Sequence, residues 1–220
     1  MLRFFSLLLL LPQCASGDRA SNPFAPGWNG EAKTPPLGWR SWNAFGNLID
    51  QRLMEQAMDA LTAKNRTIMG KAGVSLCDAA GFCSVGVDEG WEACGGGING
   101  TQHAADGTPT INTTRFPDMG KMVEYGHGVG LTVGWYENGC KCAEKKDDPF
   151  NYAGDVRSLA AFGFDGIKLD DCGAQKNSTL YAELMQKAGY ESYECLVRVF
   201  SVSQVARWRL PAVKYLYVRI

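Results

Sequence analysis

The sequence predicts an α/β fold built on parallel strands, and three observations lead there. Strand-like and helix-like segments alternate four times between Leu37 and Lys187, the order that lays helices over a parallel sheet. Within the strands, large apolar residues share one face and small residues the other. Three of the strands then run into acidic residues at their C-terminal ends: Asp88 and Glu89, Glu137, and Asp170 and Asp171.

The strands are expected at Leu37 to Asn43, Phe82 to Glu89, Leu131 to Asn138 and Gly166 to Asp171. A helix is expected from about Ile49 to Lys71, where Leu53, Ala57, Ala60, Leu61 and Ile68 fall near helical spacing and Gly73 supplies the stop. Trp91 to Arg115, full of Gly, Asn and Thr, reads as a long loop. Shorter helices follow at Asp118 to Tyr125, closing at Gly126 and Gly128, at Asn151 to Phe162 and at Ser178 to Lys187.

Alternation sorts the strand residues by face. Val85 and Val87 oppose Ser84, Gly86 and Asp88; Leu131, Val133 and Trp135 oppose Thr132, Gly134 and Tyr136; Ile167 and Leu169 oppose Gly166, Lys168 and Asp170. A bulky face packed on helices and a small, polar face leading to a site suit a (β/α)8 barrel, whose sites sit at the C-terminal mouth. A doubly wound open sheet also places its sites at strand ends, and periodicity alone favours neither.

The chain has 220 residues, 45% of them hydrophobic, with 22 Lys and Arg against 23 Asp and Glu. That composition supports a sizeable core, and the dispersed, balanced charge gives no attraction for nucleic acid or an anionic membrane. At the N-terminus, Arg3 precedes an apolar run from Phe4 to Leu11, then Pro12 and the small residues Ala15, Ser16 and Gly17. This pattern reads as a secretory signal peptide over residues 1–17, followed by an extended lead-in over 18–33. The run is too short for a spanning helix, and no later apolar stretch of about 20 residues exists.

Secretion agrees with the cysteines. Cleavage near Gly17 removes Cys14, and Cys77, Cys83, Cys94, Cys140, Cys142 and Cys172 are expected to form disulfides in an oxidising compartment. Cys140 and Cys142 have no matching Cys/His pair, since His103 and His127 are the two histidines, so no metal is expected. Sequons at Asn65, Asn99, Asn112 and Asn177 fit the same route. Gly95-Gly96-Gly97 and the glycines at 126, 128 and 130 match no nucleotide motif.

The carboxylates at the strand ends point to glycoside hydrolysis, which needs two carboxyl groups around the scissile bond, one of them attacking the anomeric carbon in retaining enzymes. A nucleophilic carboxylate must stay ionised, and Lys168 shares the face of Asp170. Asp171 falls on the face of Ile167 and Leu169, so parity selects Asp170. A lone strand-end Asp is more simply a cap for the next helix. The Lys-x-Asp pattern beside polar ends on two other strands outweighs that reading.

These residues carry a family resemblance. Thr34-Pro35-Pro36-Leu37-Gly38-Trp39-Arg40-Ser41-Trp42-Asn43-Ala44-Phe45-Gly46 resembles the opening strand of glycoside hydrolase family 27, the α-galactosidases or melibiases. Val85 to Trp91, Arg115-Phe116-Pro117-Asp118, Gly130 to Tyr136 and Phe162 to Cys172 are similar to further motifs of that family, in its order. The resemblance runs from about Thr34 to Gly189. It implies a (β/α)8 TIM barrel and retaining hydrolysis of terminal α-galactosides, in oligosaccharides or glycoconjugates, without metal or organic cofactor. It implies Asp170 as nucleophile, Lys168 as a substrate contact, Asp88 and Glu89 as the acidic pair holding sugar hydroxyls, and Trp42 and Tyr136 as the pocket lining. It also implies a disulfide from Cys172 to Cys140 or Cys142. An extracellular, lysosomal or vacuolar destination follows.

Departures from the family are as informative. Glu89 replaces an Asp, Leu169 replaces an aromatic residue, and Asn47 and Gly90 stand where cysteines often pair. Cys77, Cys83 and Cys94 then need other partners. Residues 34–189 hold about the first four β/α units of a barrel that typically needs about 250 residues. The general acid/base of the family comes from a later strand. Residues 190–220 read as a divergent tail, and the expectation is a truncated or misspliced gene model, inactive alone. Weighed beside this are an α-N-acetylgalactosaminidase or β-L-arabinopyranosidase on the same scaffold, a noncatalytic sugar-binding remnant, and a half-barrel that pairs with another chain.

Overall fold

The computed structural model describes residues 38–81, 83–137, 142, 147–170 and 173–190. The signal-peptide segment, the lead-in, Thr34 to Leu37, Cys140, Asp171, Cys172 and the tail from Glu191 lie outside the described residues.

In chain order the elements are β1 (Trp39–Arg40), α1 (Trp42–Phe45), α2 (Gln51–Thr62), β2 (Thr67–Ile68), β3 (Lys71–Ala72), α3 (Leu76–Ala80), β4 (Ser84–Gly86), α4 (Met119–Gly128), β5 (Thr132–Glu137), α5 (Pro149–Phe162), β6 (Gly166–Leu169) and α6 (Ser178–Lys187). Strands β1, β4, β5 and β6 form one sheet in that order, parallel throughout. Such pairing needs a crossover after each strand, and α2, α4 and α5 supply the helices in those crossovers.

Register puts Arg40, Gly86, Gly134 and Gly166 in one row and Tyr136 opposite Lys168 two residues further on. The opposite face carries Val85, Val133, Trp135, Ile167 and Leu169, all buried, as alternation requires. Against it pack Met54, Met58 and Leu61 of α2, Met119, Met122 and Val123 of α4, Tyr152, Val156 and Leu159 of α5, and Tyr181 and Met185 of α6. Trp135 anchors this layer, stacked on Phe164 at 4.9 Å between ring centroids and tilted against Trp91 at 4.7 Å. At Gly126 a Cβ would come within 2.5 Å of a Val133 methyl, so its absence lets α4 seat closely on β5.

Helix starts follow local chemistry. The carboxylates of Asp50, Asp118 and Asp148 and the amide oxygen of Asn177 each accept a backbone N–H in the first turn of α2, α4, α5 and α6. The last of these helices spans Ser178 to Lys187, as the sequence predicts.

Other expectations are corrected. The helix expected to reach Lys71 stops at Thr62, where Ala63 turns extended. Residues 67–72 are instead an antiparallel hairpin whose turn residues Met69 (φ 49°) and Gly70 (φ 81°) both adopt left-handed conformations, through which no α-helix continues. The first strand ends at Arg40, and Trp42 lies on the helical turn α1 instead of in the strand. The second strand covers Ser84 to Gly86, so Asp88 and Glu89 sit just beyond it. The helix expected to close at Gly126 runs through it to Gly128. Helix α3 has no counterpart among the expected elements, although Ser75 and Asp78 form a reciprocal capping box that a Ser-x-x-acid pattern announces. Tyr190, the last described residue, still docks on the fold, its hydroxyl donating to the Phe164 carbonyl at 3.1 Å.

Candidate active site

Lys168 organises the C-terminal edge of the sheet. Its Nζ donates to both carboxylate oxygens of Asp88, at 3.1 and 3.0 Å, and lies 3.3 Å from Asp170 Oδ2. It also stands 5.1 Å above the centroid of the Tyr136 ring. Strand register explains the meeting: Tyr136 is paired with Lys168, and Asp170 follows Lys168 on the same face.

Asp88 is the buried member, with its side chain 2% exposed, whereas that of Asp170 is 27% exposed and reachable from solvent. The amide of Asp88 donates to Ser41 Oγ at 3.0 Å, and its Oδ1 accepts the Glu89 N–H at 3.0 Å. One carboxylate therefore sits locked beneath the lysine, and the other faces outward beside it.

Tyr136 reports on the field of this group. Its phenol is pushed far above the ordinary value, first by burial and then by the charges of Glu89, Asp170, Glu92 and Asp88. It remains a neutral hydroxyl, able to donate as well as accept, at the centre of the carboxylates.

The small inner-face residues have a specific reason. Arg40 lies across Gly86 and Gly134: a Cβ on Gly86 would fall 2.6 Å from Arg40 Cγ, and one on Gly134 would fall 3.0 Å from Arg40 Nη2. From there Arg40 Nη1 donates to the Val87 carbonyl at 3.1 Å and reaches Asp88 Oδ2 at 3.9 Å. Sequence reasoning missed this residue. The available signal was the register of a strand arginine with glycines on its two neighbours.

Of the expected site residues, the structure thus brings together Asp88, Tyr136, Lys168 and Asp170, with Glu89 close enough to act on Tyr136. Trp42 follows Ser41 directly but is 44% exposed, and among the described residues no hydrogen bond or ring contact joins it to the carboxylates.

Covalent ties hold the neighbouring loops. Cys94 pairs with Cys142, linking the loops after β4 and β5, and Cys77 pairs with Cys83 across α3. Cys142 is therefore not free for Cys172. This corrects one of the two partners expected for it and leaves Cys140; both Cys140 and Cys172 lie outside the described residues. Asn47 and Gly90 do adjoin, since a Cβ on Gly90 would lie 2.6 Å from the Asn47 carbonyl oxygen. Arg115 spans them, with Nη1 donating to the Asn47 carbonyl at 2.7 Å and to the Gly90 carbonyl at 3.2 Å.

Among the described residues no group of three or more His, Cys, Asp or Glu could hold a metal ion, and no helix is long and apolar enough to cross a membrane.

A parallel α/β sheet with carboxylates, a lysine and a tyrosine gathered at its C-terminal edge defines an α/β protein with a polar, acidic mouth. Its family follows from comparison with known proteins. The chain belongs to the alpha galactosidase A family, whose model matches residues 34–218, a span that runs past Gly189 into the segment set apart above as a divergent tail. It is 27% identical over 147 residues to alpha-galactosidase A of Cellvibrio japonicus, covering 66% of this chain and 32% of that one. The fold is shared with alpha-galactosidase I of Mortierella vinacea (TM-score 0.56, 23% identity, covering 73% of this chain and 39% of that one). It is shared equally with the Saccharomyces cerevisiae alpha-galactosidase solved with raffinose (TM-score 0.59, 19% identity, covering 80% and 37%). The chain spans about a third of the length of the curated relatives it matches.

Proposed function

We propose that this chain forms the N-terminal half, about four β/α units, of the (β/α)8 barrel of a retaining α-galactosidase, with Asp170 as the nucleophile. The observation that carries the reading is the Asp88–Lys168–Asp170 array on one face of the sheet, at the end where barrel enzymes hold their sites. Lys168 Nζ stands 3.3 Å from the outward carboxylate, which this contact orients toward the mouth.

In this mechanism a terminal α-galactoside sits at the mouth, raffinose being the ligand of the yeast relative. Asp170 attacks the anomeric carbon on the face opposite the leaving group, and the C–O bond to the aglycone breaks. Water then cleaves the glycosyl ester, so two inversions retain the configuration. Asp88 and Glu89 accept hydroxyl protons from the sugar, Lys168 donates to it, and Trp42 and Tyr136 bound the pocket. The acid/base carboxyl, about 5–5.5 Å from the nucleophile in retaining enzymes, comes from the other half of the barrel. The two disulfides support passage through the secretory pathway to an extracellular, lysosomal or vacuolar site.

The test is a chimera joining residues 34–189 to the second half of an intact relative. It is expected to hydrolyse an aryl α-galactoside, and a 2-fluorogalactoside that traps the glycosyl-enzyme is expected to label Asp170. Asp170→Asn should lower kcat at least about a thousand-fold with the fold intact. Labelling of any other residue, or near-normal turnover by the variant, removes Asp170 from the role. The 220-residue chain alone is expected to show no turnover.

A further inference from the structure

Four sequons of equal quality in sequence, each with Thr in the third position, are not equal in the fold. At Asn177 the amide oxygen caps α6, accepting the Leu180 N–H at 3.0 Å, and at Asn112, half-buried, it accepts the Arg115 N–H at 3.3 Å. At Asn99 the asparagine is exposed, but the hydroxyl of Thr101 is committed, donating to the Ile98 carbonyl at 2.7 Å. All three bonds span three residues, so they form with local structure on the fastest folding timescales and compete with any enzyme that must grasp the sequon.

Asn65 differs. Asn65 and Thr67 are both exposed, and among the described residues neither side chain makes a hydrogen bond. The residue between them is fixed: Arg66 donates through Nη2 to the Ala60 carbonyl at 2.9 Å, and its own carbonyl accepts the Gly73 N–H at 3.0 Å. The segment follows the end of α2, which returns from the C-terminal end of β1 toward the start of β4. It therefore lies at the end of the sheet opposite Asp88 and Asp170. The hairpin it enters carries Met69, 94% exposed, an apolar side chain that a neighbouring glycan would cover.

We propose that Asn65 is the principal N-glycosylation site of this protein. In the transfer, the bond between the anomeric carbon of the oligosaccharide and a lipid-linked pyrophosphate breaks. A C–N bond forms to Asn65 Nδ2, one amide proton is lost to base, and the lipid pyrophosphate leaves. The glycan stands clear of the carboxylate mouth, so it is compatible with substrate entry. The inference rests on the secretory reading above, and its test is built to separate the two.

The full chain is expressed in a eukaryotic cell behind a foreign signal sequence, which enforces translocation whatever its own N-terminus does. Enzymatic deglycosylation in heavy-oxygen water converts each occupied Asn to a labelled Asp, read by peptide mass spectrometry. Label is expected at residue 65 in a larger fraction of molecules than at 99, 112 or 177. Asn65→Gln and Thr67→Ala should each remove the same glycosylated band, since neither side chain holds the fold. An unlabelled Asn65 in the translocated chain, or greater label at any other sequon, overturns the proposal. Expression behind the native N-terminus answers the secretion question independently.

Discussion

Replacing Glu137 by Gln should make the protein more stable as pH rises above the ordinary carboxyl range. Glu137 is fully buried, on the same side of β5 as Trp135, and neither of its carboxylate oxygens has a hydrogen-bond partner among the described residues. The neighbouring Asp155, by contrast, is well supplied with partners. His103 Nε2 meets Asp155 Oδ1 at 2.8 Å, while Gln175 and the Tyr181 hydroxyl donate to Asp155 Oδ2. Burial first, and then the charges of Asp155 on α5 and Glu92 in the loop after β4, push the Glu137 carboxyl well above its ordinary 4.5. On α6, the phenol of Tyr181 is likewise pushed well above its ordinary value, first by burial and then by Asp155 and Glu137.

The sign follows from where the proton is bound. The folded state holds it more tightly than the unfolded chain, so the favourable contribution is complete below about pH 4.5 and is lost as pH climbs toward the folded-state value. Each pH unit in that window costs about 1.4 kcal/mol. Gln keeps the shape and cannot ionise. Urea unfolding of both proteins from about pH 4 to 7.5, at constant m, reads the difference directly. The gap between variant and parent should widen with pH in favour of the variant, then level off. A pH-independent gap would show that Glu137 ionises in the fold as freely as in the unfolded chain, and would refute the reasoning.

Two further outcomes follow from the packing around the mouth. Gly86→Val places methyl groups where the Arg40 side chain lies, so Arg40 must leave Asp88, at a cost of about 1–3 kcal/mol for overpacking. Thermal unfolding checks the cost, and an unshifted Tm would mean that Arg40 does not fill this space. Replacing Cys94 and Cys142 together by Ala opens a link of sequence separation 48, which chain entropy values at about 4 kcal/mol. The midpoint in denaturant should fall, and a parent that loses no stability on reduction would contradict the pairing.

The fold is legible where local rules and tertiary packing agree. Alternation alone assigns Val85, Val133, Trp135 and Ile167 to the buried face, and they line it. The α6 helix needs only Asn177, a periodic run and Lys187 in its last turn. The helix beyond Thr62 is a false expectation because Ile68 continues a helical spacing that the hairpin at Met69-Gly70 breaks, and a turn built on a non-glycine residue with positive φ leaves little mark in sequence. Of the candidate site, Asp88, Tyr136, Lys168 and Asp170 are readable because parity and strand ends place them.

By itself, the sequence determined the order of the four sheet strands and of the helices α2, α4, α5 and α6, the side of the sheet that the strand residues take, and the gathering of carboxylates at one end. These follow from the two-residue period of a strand, a local property. Tertiary structure alone decided that Lys168 bonds Asp88 while standing beside Asp170, that Arg40 fills the space over Gly86 and Gly134, and that Cys142 belongs to Cys94. Those contacts join residues far apart in the chain, and their geometry exists only once parallel strands are in register. The same burial that assembled the mouth left Glu137 without a donor among the described residues, a consequence that no local pattern encodes.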